Sequence, residues 1–112
     1  MRSRYRLARS ARRNLQQVSG YWVNEAGDDV ALRIIEGILE TITALADQPR
    51  AGVAAEQFGA GVRKFPPGTY MIYYRRSRSS RIEILHVFHG ARDQRKAWRN
   101  ERPASPFRSW PP

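Results

Sequence analysis

Histidine, tyrosine and arginine side chains are concentrated between residues 63 and 92, and together they could perform acid–base chemistry on a phosphate ester. Such chemistry needs a base, an acid and cations that stabilise a pentacovalent phosphate, all within hydrogen-bond reach of the reacting atoms. The candidate side chains are Arg63, Lys64, Tyr74, Arg75, His86, His89 and Arg92. The same residue types could instead bind without chemistry, because the planar guanidinium of Arg fits phosphates and carboxylates.

The two histidines are expected to face opposite sides of one strand. His86 and His89 are three positions apart, and side chains alternate between the two faces of a strand. They cannot both line one site unless the strand ends between them. His89 stands beside Gly90 at the predicted strand end, which is the better place for a functional side chain. The alternative for each histidine is a structural role.

Arg63 has two interpretations that the sequence leaves open. It could form a cationic patch with Arg75 and Arg92 that binds carboxylates of a target or partner. It could instead lie on a solvated sheet face, or pair with Glu83 and hold the sheet together. A second group of arginines is interpreted as the solvated tip of a hairpin: Arg75, Arg76, Arg78 and Arg81.

Composition excludes several classes of site. The chain has no Cys, which excludes disulfides, thiolate catalysis and Cys-based zinc sites. No Gly-rich phosphate loop, metal-ligand spacing or Ser/His/Asp arrangement is present, so we predict neither a metal nor a cofactor. No apolar stretch approaches about 18 residues, and no apolar region follows the basic N-terminus, so we expect a cytoplasmic protein without a membrane partner.

Charge is distributed unevenly along the 112 residues. The net charge is +10, with +6 in residues 1–13, −5 in residues 14–60 and +9 in residues 61–112. If the two basic ends meet in the fold, one side of the molecule carries a strong positive field. Such a field attracts nucleic acid or an acidic protein partner.

Two amphipathic helices are predicted in the first half of the chain. The first begins with Ser10 as its N-cap and ends at Gly27, a residue suited to a positive φ. The second begins at Asp28, whose charge suits a helix N-terminus, and stops at Pro49. Gly37 within the second helix suggests close contact between the helices. The apolar stripes consist of Ala11, Leu15, Val18 and Trp22 in the first helix and Ala31, Ile34, Ile35, Ile38, Ile42 and Leu45 in the second.

Strands are predicted at residues 5–9, 61–65, 70–75 and 81–89, with a loop over 50–60 and a type II turn over 66–69. The order β-α-α-β-β-β predicts an α+β fold, in which a small, mainly antiparallel sheet packs against an N-terminal antiparallel helical hairpin. The last two strands are apolar on both faces, so something other than the hairpin, with a partner as one candidate, should cover part of the second face. We divide the chain into a domain over residues 1–98 and a Pro- and Arg-rich tail over 99–112, expected to be flexible when unbound.

Two stretches resemble a known family of bacterial toxins. Residues 61–75, GVRKFPPGTYMIYYR, and residues 82–93, IEILHVFHGARD, are similar to the corresponding segments of ParE-type toxins in the RelE/ParE superfamily. The resemblance covers about residues 4–95 and includes the helical hairpin. His86 departs from the Arg found in many relatives, and the residues after Arg95 have no counterpart.

The resemblance implies the toxin component of a bacterial type II toxin–antitoxin system. ParE toxins typically inhibit DNA gyrase, trap it on cleaved DNA and block replication, and a ParD-like antitoxin neutralises them. That antitoxin typically carries a ribbon-helix-helix domain, so contact with DNA is expected indirectly, through the antitoxin. RelE relatives instead cut mRNA on the ribosome, and an inactive module that only binds antitoxin is a further alternative.

The first two alternatives assign different roles to the candidate residues. A gyrase poison needs no chemistry of its own, and the residues expected to bind target or antitoxin are then Arg63, Lys64, Tyr74, Arg75, His89, Arg92 and Trp98. A ribosome-dependent nuclease would use as catalytic residues Arg63, Tyr74, His89 and Arg92. The basic hairpin tip could touch DNA in a gyrase complex, and the aromatic residues among arginines near the C-terminal end suit an interface.

Overall fold

The computed structural model describes residues 4–65, 69–78 and 80–90, which form two α-helices and a five-stranded sheet. The helices are α1 (Arg9–Ala26) and α2 (Asp28–Asp47). The strands are β1 (Tyr5–Leu7), β2 (Val53–Ala54), β3 (Arg63–Phe65), β4 (Tyr70–Arg76) and β5 (Ile82–His89). The predicted tail, and all but the last residue of the predicted type II turn, lie outside the described residues.

The strand order in the sheet is β1-β5-β4-β3-β2. Only the pair β1 and β5 is parallel among the described strands, which confirms the predicted α+β fold with a mainly antiparallel sheet. The prediction of a plain loop over residues 50–60 is wrong, because β2 and a 3₁₀ helix (Glu56–Phe58) lie within it. A two-residue edge strand is too short to show alternation of apolar and polar side chains, so no pattern revealed β2.

The helical hairpin turns at a single residue. The Gly27 N–H donates to the Val23 carbonyl at 3.0 Å and ends α1, while the Gly27 carbonyl accepts from the Ala31 N–H at 3.1 Å and begins α2. Gly27 has a φ of +92°, which an L side chain rarely adopts. The predicted end of the first helix at this glycine is therefore confirmed.

Both helices pack their apolar stripes against one face of the sheet, as predicted. The buried core on this face comprises Ala11, Val18, Ile38, Ile42, Leu45, Ala46, Ile72, Tyr74, Ile82, Ile84 and Val87. Leu15, Trp22, Ile34 and Ile35 pack at its margin. Since burying one large apolar side chain is worth roughly 1.5–3 kcal/mol, this face supplies the larger share of the apolar stabilisation among the described residues.

The opposite face of the sheet is covered in part by the segment that follows β2. Its buried cluster is formed by Ala55, Val62, Tyr73 and Phe88. Phe58 of the 3₁₀ helix packs edge-on against Tyr73, with ring centroids 5.2 Å apart. The expectation that something other than the hairpin covers part of this face is confirmed, and the cover comes from the segment predicted to be a loop.

A β-bulge explains why β5 is apolar on both faces. The pairing of β4 with β5 skips Leu85, which is therefore an extra residue. The bulge reverses the alternation, so that Ile84 before it and Val87 after it both belong to the helix-facing core. No irregularity separates His86 from His89, and these two side chains lie on opposite faces as predicted.

Ser10 is not the predicted N-cap. Helix α1 begins before the position that this prediction requires, with Ala8 in the capping position and no side-chain cap. Ser10 is buried, and its hydroxyl donates to the Leu85 carbonyl at 2.6 Å. Beside it, the Ala8 N–H donates to the Ile84 carbonyl at 2.9 Å. These bonds pair backbone carbonyls at the edge of β5 beyond the end of β1. The Ser10 hydroxyl is engaged in this contact and does not cap α1.

Asn14, one turn further along α1, supplies further hydrogen bonds to this edge of β5. Its Oδ1 accepts hydrogen bonds from the Val87 N–H and from His86 Nδ1, each at 3.1 Å. Because the backbone N–H can only donate, the Asn14 oxygen must face it, and His86 Nδ1 then carries a proton. Asn14 is 2% exposed and His86 is fully buried. This burial favours a structural role for His86, which was one of the two roles considered for it.

Gly37 does not bring the helices together. A Cβ at this position would meet no heavy atom within 4 Å, so the predicted close helix contact is wrong. Gly37 lies at the exposed margin of the α2 stripe, one residue before the buried Ile38, and therefore borders the core without entering it.

The segment between α2 and β2 is tethered to the sheet through one phenol. The Tyr74 hydroxyl accepts from the Gly52 N–H at 2.8 Å and donates to the Pro49 carbonyl at 2.7 Å. A Cβ on Gly52 would lie 2.5 Å from that hydroxyl and 2.7 Å from the Lys64 carbonyl oxygen, so only glycine fits. The tether fixes where the chain leaves α2, and with it the position of Arg50.

Replacing Asn14 by Ala should lower the free energy of unfolding by roughly 2 to 4 kcal/mol, because the Val87 N–H and His86 Nδ1–H would lose their buried acceptor. Urea unfolding followed by circular dichroism measures the change. Gln17→Ala, on the exposed side of the same helix, is the control and should alter stability by less than about 0.5 kcal/mol. Equal stability of the two variants would contradict the role of Asn14.

Replacing Tyr74 by Phe should lower the free energy of unfolding by about 1 to 3 kcal/mol, because the Gly52 N–H and the Pro49 carbonyl lose a partly buried partner. The same change at Tyr21, whose side chain is 57% exposed, is the matched control and should have almost no effect. Thermal or urea unfolding measures both variants. If Tyr74→Phe left the free energy of unfolding unchanged, the phenol would not hold this segment.

Candidate macromolecule-binding surface

The structure describes five of the seven residues predicted to bind a target or antitoxin. They are Arg63 and Lys64 on β3, Tyr74 and Arg75 on β4, and His89 on β5. Arg92 and Trp98 lie outside the described residues. Because the five share one sheet, the strand register determines which of them can act together.

Arg63 is held by the backbone after α2 and does not pair with Glu83. Its Nε and Nη2 donate to the Gly52 carbonyl at 3.1 and 2.8 Å, and Nη2 also donates to the Arg50 carbonyl at 3.3 Å. The expected pair with Glu83 is wrong, because β4 separates the two strands and the two side chains belong to opposite faces of the sheet. Arg63 instead reinforces the tether at Gly52.

Glu83 stands between two other arginines. Its carboxylate lies 3.5 Å from Arg6 Nε and 3.4 Å from Arg75 Nη2, so one acid bridges three adjacent strands. Both guanidinium-bearing side chains are more than half exposed, which limits the stability that each pair contributes. Arg6, Glu83 and Arg75 together carry a net charge of +1 on this face. The contact with Glu83 orients the Arg75 side chain, which stays accessible.

Tyr74 and Lys64 differ in their access to a partner. Tyr74 is 1% exposed and its hydroxyl is engaged by the tether, which favours a structural role over direct contact with a macromolecule. Lys64 is half-buried on β3, paired with Val53 of the edge strand on one side and Tyr73 on the other. Of these two side chains, only Lys64 can offer a cation to a molecule at the sheet edge.

His89 lies at the far end of the sheet from the arginines. It is exposed, pairs with Tyr70, and packs edge-on against that ring with centroids 5.5 Å apart. Since a strand rises about 3.3 Å per residue, the four steps from Tyr70 to Tyr74 place His89 roughly 13 Å from the level of Arg63. The strand register therefore brings Arg63 and Tyr74 together, and it does not bring His89 within hydrogen-bond reach of either.

An open groove that sequence reasoning missed lies beside this end of the sheet. It has a volume of about 380 Å³ and is lined by residues that include Trp22, Ile34, Gly37, Ile38, Tyr70 and Ile72. The Trp22 indole N–H donates to the Tyr70 hydroxyl at 2.7 Å and forms one wall. The missing side chain of Gly37, in an otherwise apolar stripe, was the one signal in the sequence. Such a groove can accept an apolar side chain of a partner.

The opposite end of the fold collects arginines from separate parts of the chain. The Arg81 N–H donates to the Arg4 carbonyl at 3.0 Å, which joins the β4–β5 hairpin to the residue before β1. Arg4 in turn binds both carboxylate oxygens of Asp47 at 2.8 Å, which adds the end of α2. We define the basic end as Arg4, Arg6, Arg50, Arg75, Arg76, Arg78 and Arg81. The two basic segments of the sequence therefore meet through Arg4, Arg6 and the arginines of the β4–β5 hairpin, and this is the condition under which a one-sided positive field was predicted.

Three carboxylates of the helical hairpin lie far from the basic end. Glu25, Asp28 and Asp29 are exposed around the turn between the helices. Because α2 has 20 residues and rises about 1.5 Å per residue, this turn is roughly 30 Å from Asp47. These three carboxylates and the basic end therefore lie at opposite ends of the hairpin.

Two further features bear on the kind of site. Within residues 4–65, 69–78 and 80–90, no group of three His, Cys, Asp or Glu side chains is placed to hold a metal ion. Neither α1 nor α2 combines the length and apolar character that a helix needs to cross a bilayer.

Comparison with known proteins gives relatives over most of the chain. "Toxin ParE1" of Mycobacterium tuberculosis is 28% identical over 93 residues, which cover 83% of this chain and 95% of that protein. "Toxin ParE1" of Caulobacter vibrioides is 30% identical over 91 residues, covering 81% and 93%. A solved structure, "Chromosomal ParDE TA system from P. aeruginosa", superposes with a TM-score of 0.64 at 22% identity, covering 80% of this chain and 96% of that one, and shares the fold.

The family match agrees with these relatives and with the described fold. Residues 5–94 match the family described as "ParE toxin of type II toxin-antitoxin system, parDE". The matched range begins with β1, includes both helices and extends past the end of β5. The chain therefore belongs to the ParE toxin family of type II toxin–antitoxin systems.

Proposed function

We propose that this toxin inhibits DNA gyrase by binding, holds the enzyme on cleaved DNA and so blocks replication. The observation that supports a binding poison over a nuclease is the separation of His89 from Arg63 and Tyr74, roughly 13 Å along the strands. An enzyme that cleaves RNA needs its acid, base and cations around one phosphate. A poison that works by contact needs exposed cations and a rigid frame, and the described sheet offers both.

We further propose that a ParD-like antitoxin neutralises the toxin in the cytoplasm. The solved structure that shares this fold is that of a ParDE system. An acidic antitoxin segment would complement the net charge of +10, and its apolar side chains would suit the groove beside Tyr70. In that complex, the antitoxin would bind DNA.

The purified full chain should block gyrase supercoiling of relaxed plasmid and accumulate cleaved DNA, and added antitoxin should restore supercoiling. Agarose gel electrophoresis, with and without protease treatment to release trapped DNA ends, measures both products. Cleavage of ribosome-bound mRNA without any effect on gyrase would establish the RelE-type alternative and contradict the proposal. A chain that binds antitoxin but does neither would be the inactive module.

The variant His89→Ala distinguishes inhibition of gyrase by binding from mRNA cleavage that uses His89 as an acid. The side chain is exposed, so we expect the variant to fold normally and to inhibit gyrase as well as the unchanged chain. If His89 were a general acid for mRNA cleavage, its loss would reduce activity by roughly 10² to 10⁴-fold. Growth inhibition in cells and the gyrase supercoiling assay, measured on the same variant, distinguish these two results.

A further inference from the structure

We propose that the basic end binds duplex DNA directly through phosphate contacts, without help from an antitoxin. The inference rests on the proposed function and deepens it, because a toxin that holds gyrase on cleaved DNA could then contact the DNA as well as the enzyme. The site consists of the seven arginines of the basic end, and its ligand is the phosphate backbone, read without sequence preference.

The arginines of the basic end form one continuous surface. The bond from Arg81 to Arg4, the ion pair of Arg4 with Asp47, and the bridge from Arg6 through Glu83 to Arg75 link its parts. A cleft of about 570 Å³ lies between the exit of α2 and β4, and Arg50 and Arg76 are among its lining residues. The surface therefore continues from the outer face of the sheet around to the helix side.

Among the residues that the structure describes, three of these seven cations are paired with carboxylates and four are not. Asp47 is bound by Arg4, and Glu83 is shared by Arg6 and Arg75. No carboxylate within the described ranges pairs with the remaining arginines, all of them exposed: Arg50, Arg76, Arg78 and Arg81. Exposed guanidinium groups of one sign repel one another, and a polyanion removes that repulsion while releasing its own counterions.

The placement of these cations favours DNA over an acidic protein. Arg75 and Arg76 are consecutive on β4 and so extend from opposite faces of the sheet, at the end where β4, β5 and β1 lie side by side. Cations on the two faces of one sheet end can meet phosphates on both sides of a DNA groove, because each strand of the duplex lines one side of the groove. Protein interfaces depend on apolar and aromatic anchors. Of the four large exposed apolar residues in the described part of the chain, three lie elsewhere, on α1 and α2: Tyr21, Val23 and Leu32.

Charge segregation also orients the toxin on the duplex. The carboxylates around Gly27 lie roughly 30 Å from Asp47, at the far end of the helical hairpin. They would be repelled by phosphates, while the basic end would be attracted. The groove beside Tyr70 lies at the end of the sheet remote from the tip of the β4–β5 hairpin, and it would stay accessible to a protein partner.

Salt-dependent binding of the full chain to a short fluorescein-labelled duplex DNA, followed by fluorescence anisotropy, tests the proposal without gyrase or antitoxin. The triple variant Arg76→Gln, Arg78→Gln, Arg81→Gln should bind at least roughly tenfold more weakly, and its slope of log affinity against log salt should fall by about 3, since each lost phosphate contact removes about 0.9. The corresponding Arg→Lys triple should keep most of the binding, because charge carries the contact.

The matched control changes the net charge equally at another place. Arg33→Gln with Gln16→Glu and Gln17→Glu removes the same three units of charge from exposed helix positions and should keep nearly the full slope. Equal losses in both triples, or no binding by the unchanged chain, would overturn the proposal whether or not gyrase is the target. Unchanged DNA binding of the Arg→Gln triple, with loss of binding to a labelled polyglutamate peptide, would instead assign the basic end to an acidic protein.

Discussion

The buried edge of β5 is the constraint on which the rest of this fold depends. β5 pairs with β4 along its whole length, but β1 covers only the first part of its other side. Beyond that point Ser10 and Asn14 of α1 supply the hydrogen bonds that a strand would have supplied. A buried backbone group without a partner costs about as much as a lost hydrogen bond, so this contact sets where α1 must lie. α2 follows, because a single glycine turns the hairpin.

Once α1 and α2 are placed, the electrostatic character of the molecule follows. The antiparallel hairpin puts the start of α1 and the end of α2 together, next to the β4–β5 tip. Arg4 and Arg81, which are 77 positions apart in the chain, thereby come into contact. The acidic residues around the helical turn are carried to the other end. A uniform net charge of +10 would not orient a partner, whereas this arrangement does.

The tether around Tyr74 shows how a side chain with reactive chemistry can be structural. A tyrosine beside several arginines has the chemistry that a nuclease needs, yet both hydrogen bonds of its hydroxyl hold the exit of α2. Arg63 is engaged in the same place. Tyr74 and Arg63 hold the backbone around Arg50, whose side chain is among those that line the cleft beside β4.

Periodicity alone determined the two helices, the strands β3, β4 and β5, and the opposition of His86 and His89, because these depend on neighbours in the chain. The tertiary structure decided the rest. β2 exists only through pairing with β3, Ser10 bonds to the edge of β5 instead of capping α1, and Gly37 meets no helix. The arginines became a surface only when distant segments met. Local spacing limits which face a side chain can take, but partners across the fold decide what that face contacts.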